Sequence, residues 1–124
     1  MNPAKRILIV DDDEDLRETL RLVIEAEGFE VDVASNGREA LDILDRGQGQ
    51  PCVVILDLLM PLMDGWETLA TIRNNHRFDC LPIIICTSAP SQAPRGFPVL
   101  PKPVDLDLLL ETLSRFCGTG AVRN

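Results

Sequence analysis

The chain has 124 residues, a hydrophobic content of 45% and a formal net charge of −8 at pH 7. This length suits one domain with a substantial core, and the hydrophobic content predicts a folded chain. The negative charge argues against a nucleic-acid binder, which needs a basic face. Apolar runs of about five residues are too short to span a membrane. The first residues lack the long apolar region of a signal peptide, so we expect a cytoplasmic protein.

Apolar segments alternate with amphipathic segments along the chain. Strands are predicted over residues 6–10, 29–34, 52–56, 81–87 and 99–100. Helices are predicted after residues 13 and 36 and over residues 66–75 and 105–113. This alternation is typical of βαβ units with right-handed crossovers, and it predicts one doubly wound α/β domain over residues 1–124.

Four cysteines, Cys52, Cys80, Cys86 and Cys117, stand far apart without a CxxC pair. This spacing suits neither a zinc site nor a small disulfide scaffold. Cys52 and Cys86 lie in predicted buried strands, where cysteine behaves as a small hydrophobic residue. We therefore expect all four to be reduced thiols.

Polar residues follow the predicted strands at the ends where a parallel sheet binds its ligands. Asp11 and Asp12 follow the first strand, Asp57 the third, and Lys102 the fifth, while Thr87 ends the fourth. Clustered carboxylates repel one another, and a hard cation such as Mg²⁺ relieves the repulsion through oxygen ligands. Asp57 could then act as a nucleophile that forms a phosphoaspartate. Lys102 offers a point charge to a phosphoryl oxygen, and Thr87 a hydrogen bond.

Other polar residues have simpler interpretations. Asp13 is predicted to cap the first helix, because its side chain can accept from free backbone N–H groups. Asp64 precedes Gly65 and is interpreted as a turn former. His76 has no partner at motif spacing and is predicted to lie in a solvated loop.

The ordered set of motifs resembles the receiver domain of two-component response regulators, and in particular the single-domain chemotaxis regulator. The motifs are Ile9-Val10-Asp11-Asp12, Leu56-Asp57, Met60-Pro61-Leu62-Met63-Asp64-Gly65, Thr87-Ser88-Ala89 and Lys102-Pro103. The resemblance implies a flavodoxin-like, five-stranded parallel sheet of order 2-1-3-4-5. It also implies a phosphoprotein of a signal-transduction phosphorelay, without a direct nucleic-acid or membrane partner.

The resemblance also implies roles for individual residues. Asp57 would accept a phosphoryl group from a histidine kinase or a histidine phosphotransfer protein. Asp11, Asp12, Asp57 and the backbone carbonyl of Leu59 would hold Mg²⁺. Thr87 and Lys102 would contact the phosphoryl group, and the Lys102–Pro103 bond would be cis. The domain would catalyse its own phosphorylation, with no turnover of external substrates.

The chain departs from the family between Thr87 and Lys102. The interval contains Pro90, Pro94 and Pro98, which oppose helix interiors, and it is near the minimum length of a βαβ crossover. The fourth helix is therefore predicted to be missing or reduced to a turn. The usual aromatic switch position, three residues before the lysine, holds Val99.

Two further departures and two alternatives bear on function. Leu59 and Ala89 flank the predicted phosphoryl site, and neither can orient an attacking water, which predicts slow self-dephosphorylation. One alternative is a receiver-like interaction module that works without phosphorylation, which the short fourth crossover favours. The other is a Mg²⁺-dependent phosphatase, which Leu59 disfavours because such enzymes usually carry a second carboxylate at that position. The sequence identifies no downstream partner.

Overall fold

The computed structural model describes residues 5–46 and 50–118, which form a five-stranded parallel sheet with helices on both faces. The strand order is β2-β1-β3-β4-β5, and every neighbouring pair is parallel. The strands are β1 (Arg6–Val10), β2 (Glu30–Ala34), β3 (Val53–Leu56), β4 (Ile83–Thr87) and β5 (Val99–Pro101). The helices are α1 (Glu14–Ala26), α2 (Gly37–Asp45), α3 (Gly65–Arg73) and α4 (Leu106–Cys117). The predicted flavodoxin-like architecture is confirmed.

The two faces of the sheet bury different residues because side chains alternate along each strand. Leu8, Val10, Val54 and Leu56 face a core completed by α2 and α3. The residues that alternate with these along β1 and β3 face a second core, which α1 and α4 complete. Since β1, β3 and β4 are covered on both faces, they read as continuous apolar runs in the sequence.

Short polar side chains begin each helix by accepting hydrogen bonds from free backbone N–H groups. Asp13 accepts from the Leu16 amide, which confirms its predicted role as a cap. Asp64 accepts from the Glu67 amide at 2.9 Å and is the cap of α3 rather than part of an isolated turn. The helix therefore begins directly after the loop that follows β3.

The crossover between β4 and β5 contains a single 3₁₀ turn, Pro90–Gln92, in place of an α-helix. This confirms the reduced fourth helix that the prolines predicted. Phe97 and Ala93 pack against the core on this side of the sheet. The guanidinium of Arg73 lies 5.4 Å from the centre of the Phe97 ring.

The prediction that all four cysteines are reduced is wrong for two of them. Cys52, just before β3, and Cys117, the last residue of α4, form a disulfide across a sequence separation of 65. Cys80 is exposed and free, and Cys86 is buried and free, as expected. Sequence spacing missed the pair because only the packing of α4 against the sheet brings the two thiols together.

Within the residues that the structure describes, no helix combines the length and the apolar character needed to cross a bilayer.

Candidate phosphoacceptor site

The candidate site lies where the carboxyl ends of β1, β3, β4 and β5 meet. The backbone ladder continues past the strands: the Asp57 amide donates to the Val10 carbonyl at 2.9 Å, and the Lys102 amide donates to the Thr87 carbonyl at 2.9 Å. These bonds hold the residues that follow each strand in fixed positions relative to one another. The sheet edge thus brings together the side chains that the sequence placed at separate strand ends.

Three carboxylates form a compact cluster at this edge. Asp11 and Asp57 are buried, with 2% and 4% of their surface exposed, while Asp12 is exposed. One carboxylate oxygen from each lies within 4.8 Å of the others. An all-oxygen set of this kind, with one member open to solvent, fits a hard divalent cation that keeps several waters. Asp13, Glu14 and Asp15, which lie in or before the first turn of α1, are not part of this cluster.

Lys102 reaches into the cluster from the end of β5. Its Nζ atom lies 2.8 Å from Asp11 Oδ2 and 3.3 Å from Asp57 Oδ2. Two carboxylates buried together would be costly without a compensating charge, and the ammonium group supplies it. Lys102 is therefore placed to neutralise charge that appears on Asp57.

Burial and neighbouring charges shift the pKa values of Asp57 and Lys102. The pKa of Asp57 is raised, first by removal from solvent and then by the negative charge of Asp11, with Lys102 partly opposing the shift. Burial alone would lower the pKa of Lys102, but its bonds to Asp11 and Asp57 outweigh that effect and raise it. Lys102 is therefore charged at neutral pH.

Backbone amides orient the two buried carboxylates, and one side chain holds the backbone beside them. The Asp13 amide donates to Asp11 Oδ1 at 2.9 Å, and the Leu59 amide donates to Asp57 Oδ1 at 3.3 Å. Arg17, on α1, donates to the Asp11 backbone carbonyl at 2.8 Å, a contact that the sequence analysis missed. These bonds leave Asp57 Oδ2 directed at Lys102.

Thr87 ends β4 on the neighbouring strand. It is fully buried, and its Oγ1 accepts a hydrogen bond from the Ala89 amide at 3.1 Å, so its own proton is available to another acceptor. The Lys102–Pro103 peptide bond is cis, as the family resemblance implied. Val99, at the usual aromatic switch position, is partly buried against the core, and Phe97 packs nearby but out of register.

Gly65 allows α3 to begin immediately beneath the site. A Cβ atom at this position would lie 2.3 Å from the Asp57 carbonyl oxygen and 2.5 Å from the Leu58 Cα. The Gly65 amide instead donates to the Leu58 carbonyl at 2.9 Å. The Asp-Gly pair therefore serves close packing as well as helix capping.

Two remaining residues lie outside the cluster. His76 is exposed in a 3₁₀ turn, and among the described residues its side chain pairs with Asp79, at 3.4 Å. Leu62 is 89% exposed and has a φ of 67°, in the left-handed region that apolar residues seldom adopt. Neither residue touches the three carboxylates.

Comparison with known proteins assigns the chain to one family. The family model for the response regulator receiver domain matches residues 7–114. A response regulator, MprA, from Mycolicibacterium vanbaalenii is 39% identical over 112 residues, which cover 85% of this chain and 47% of that protein. An uncharacterised 14.6 kDa protein from Leptolyngbya boryana is 38% identical over 118 residues, 90% of this chain and 88% of that protein.

A solved structure gives the same result at the level of the fold. The chemotaxis protein CheY4 of Vibrio cholerae superposes with a TM-score of 0.80 at 28% identity, covering 92% of this chain and 99% of that one. The chain therefore belongs to the response regulator receiver family of two-component signalling. It spans about half the length of the MprA regulators that it matches.

Proposed function

We propose that the domain accepts a phosphoryl group on Asp57 from the phosphohistidine of a histidine kinase or a histidine phosphotransfer protein. The observation that carries the proposal is the pairing of Lys102 Nζ with both Asp11 and Asp57 inside a cluster of three carboxylates. A buried carboxylate beside a fixed cation is a suitable nucleophile for phosphoryl transfer. The downstream partner would be a protein that distinguishes the phosphorylated state.

In this reaction a carboxylate oxygen of Asp57 attacks phosphorus, the phosphorus–oxygen bond forms, and the phosphorus–nitrogen bond to the donor imidazole breaks. Lys102 would hold negative charge on the transferred group, and the free proton of Thr87 would donate to one of its oxygens. The backbone amide of Leu59 already donates to Asp57 and keeps the carboxylate oriented. Positioning and charge stabilisation supply most of the catalysis in phosphoryl transfer.

Asp11, Asp12 and Asp57, with the Leu59 backbone carbonyl, would hold Mg²⁺. The cation would neutralise charge on the phosphoryl oxygens and on the carboxylates. The fit of these residues to Mg²⁺ rests on the proximity of their carboxylate oxygens. In the phosphorylated state, the added charge and acceptor oxygens would shift Thr87 and Lys102 and thereby change the affinity for a partner.

The test is incubation of the purified protein with Mg²⁺ and either acetyl phosphate or beryllofluoride, followed by mass spectrometry and peptide mapping. We expect one stable modification at Asp57 that requires Mg²⁺ and is absent from Asp57→Ala. Asp42→Ala, which removes an exposed carboxylate of α2, is the matched control and should react like the wild type. An unmodified wild type would instead support an interaction module that works without phosphorylation, and steady release of phosphate from an organic phosphate would support a phosphatase.

A further inference from the structure

The disulfide between Cys52 and Cys117 joins two elements that are far apart in the sequence. Cys52 precedes the first residue of β3, and Cys117 is the last residue of α4. Their Cα atoms are 5.7 Å apart, a separation at which a disulfide forms without backbone movement. The packing of α4 on the sheet thus brings two cysteines into bonding range, while the other two cysteines remain free thiols.

Apolar burial holds α4 on the sheet in addition to this bond. Small domains rely on disulfides when they cannot bury enough apolar surface. Here two buried clusters cover the two faces of the sheet, and the α4 residues Leu109 and Leu113 already anchor the helix in one of them. Because apolar burial already holds α4 on the sheet, opening the disulfide would leave this core in place, as a reversible bond requires.

The two sulfurs differ in their access to small molecules. Cys52 is partly exposed, whereas Cys117 is 3% exposed. The other two cysteines do not compete for this pairing: Cys80 is exposed on a loop, and burial raises the pKa of the Cys86 thiol to about 11. Cys52 is therefore the sulfur that an external thiol or disulfide can reach first.

The bond acts on the end of α4, away from the candidate phosphoacceptor site. Asp57 follows β3 at its carboxyl end, five residues after Cys52, or roughly 16 Å along an extended strand. At the Cys117 end, Lys5 Nζ donates to the Cys117 carbonyl, and the Gly118 amide donates to the Ser114 carbonyl. Breaking the disulfide would leave the last turn of α4 held by these bonds and by its apolar face.

We propose that Cys52 and Cys117 form a redox-reversible modification site that fastens the last turn of α4 to the start of β3. Oxidation by a low-molecular-weight disulfide such as oxidised glutathione proceeds in two exchanges. The Cys52 thiolate attacks one sulfur of the oxidant and releases one thiol, and the Cys117 thiolate then attacks the mixed disulfide and releases the second. Two protein thiols and one external disulfide become one protein disulfide and two external thiols. The site is independent of the phosphorylation proposed for Asp57.

The first experiment measures the bond itself. The full chain is equilibrated in buffers of fixed total glutathione and varying ratio of reduced to oxidised form, acid-quenched, alkylated and mapped by mass spectrometry. We expect a Cys52–Cys117 cross-link that disappears as the ratio rises. Cys80→Ser, the matched control, should leave the titration unchanged. Free thiols at both positions at every ratio, a cross-link that persists at every ratio, or a cross-link to another cysteine would each overturn the proposal.

The second experiment measures how breaking the disulfide affects the stability of the domain and of the last turn of α4. Reduction should lower the melting temperature by about 10 °C or more and should speed amide hydrogen exchange several-fold in residues 114–117. Phosphorylation at Asp57 by acetyl phosphate should proceed in both states. Cys52→Ala should lose the redox dependence of all readouts, and the wild-type comparison stands by itself if that variant does not fold. Equal melting temperature and equal exchange in the two redox states would refute the fastening role.

Discussion

Replacing Lys102 with methionine tests whether one cation stabilises the buried carboxylate cluster. Methionine keeps an unbranched apolar stem of similar length and removes the ammonium group. The substitution deletes the contacts of 2.8 Å to Asp11 and 3.3 Å to Asp57. Within residues 5–46 and 50–118, the two buried carboxylates are then left without an ion pair to a cationic side chain.

The expected cost follows from the charges and their burial. Two carboxylates at 4.8 Å, the limit found for this cluster, repel by about 3.5 kcal/mol at an effective dielectric constant of about 20. Removing one partner from a buried ion pair costs about 3–5 kcal/mol. The Lys102 side chain is 20% exposed, and solvent screens part of the loss. We therefore expect the free energy of unfolding to fall by about 3 kcal/mol at pH 7.5 without Mg²⁺.

The loss should depend on pH in a direction set by Asp57. The pKa of this carboxyl is raised, mainly by burial, so its ionisation costs the folded state stability. That cost is absent at low pH, where the group is protonated in both states, and it develops as the pH rises past the ordinary value and through the raised one. Without Lys102 the pKa of Asp57 rises further. The free energy of unfolding should therefore fall more in the variant than in the wild type as the pH rises over this range. Lys102 itself, whose pKa is raised, keeps its charge in the wild type throughout.

Urea unfolding at pH 4 and pH 7.5, with and without Mg²⁺, measures the effect. The difference in the free energy of unfolding between variant and wild type should be large at pH 7.5 and smaller at pH 4. Mg²⁺ should reduce this difference, because the cation would replace the charge of the missing ammonium group. Arg115→Met is the control, because its 3.0 Å pair with Glu111 is exposed and should contribute less than about 1 kcal/mol. A gap below about 0.5 kcal/mol at pH 7.5, or one of equal size at both pH values, would refute the reasoning.

Three further substitutions test the loop that follows β3. Leu59→Asn should shorten the lifetime of a phosphoaspartate at Asp57, because an amide can orient water where leucine cannot; a wild-type lifetime as short as that of the variant would contradict this. Leu62→Asn should raise the free energy of unfolding by about 1 kcal/mol, since asparagine tolerates the φ of 67° better than leucine; an unchanged or lower urea midpoint would argue against that strain. Gly65→Ala places a Cβ 2.3 Å from the Asp57 carbonyl oxygen and should cost about 1–3 kcal/mol and slow phosphorylation by acetyl phosphate. A variant that unfolds and reacts like the wild type would show that the loop relaxes freely.

Much of the fold could be read from local patterns. Strands buried on both faces appear as apolar runs, and the acids that begin α1 and α4 cap those helices as short polar side chains do. The three prolines between β4 and β5 predicted the loss of a helix because each one lacks a backbone donor. Each of these features depends on residues that are close together in the chain, so a single sequence is enough to predict it.

The membership of the candidate site was also predictable, because the carboxyl ends of parallel strands lie at one edge. Asp11, Asp12 and Asp57 do meet there, and Lys102 joins Asp11 and Asp57. Their roles in phosphoryl transfer remain proposals. The sequence could not predict the shifted pKa of Asp57, which depends on how completely the surrounding elements exclude water.

The order of the elements, the reduced fourth crossover and the residues at the functional edge of the sheet thus follow from the sequence. The close fit of Gly65 beneath Asp57 and the pairing of Cys52 with Cys117 emerge only when the chain is folded. The difference lies in the sequence separation over which each effect acts. Propensity and periodicity act over a few residues, whereas these contacts join segments whose separation is set by the packing of helices on a sheet. The disulfide, which spacing argued against, is the clearest example.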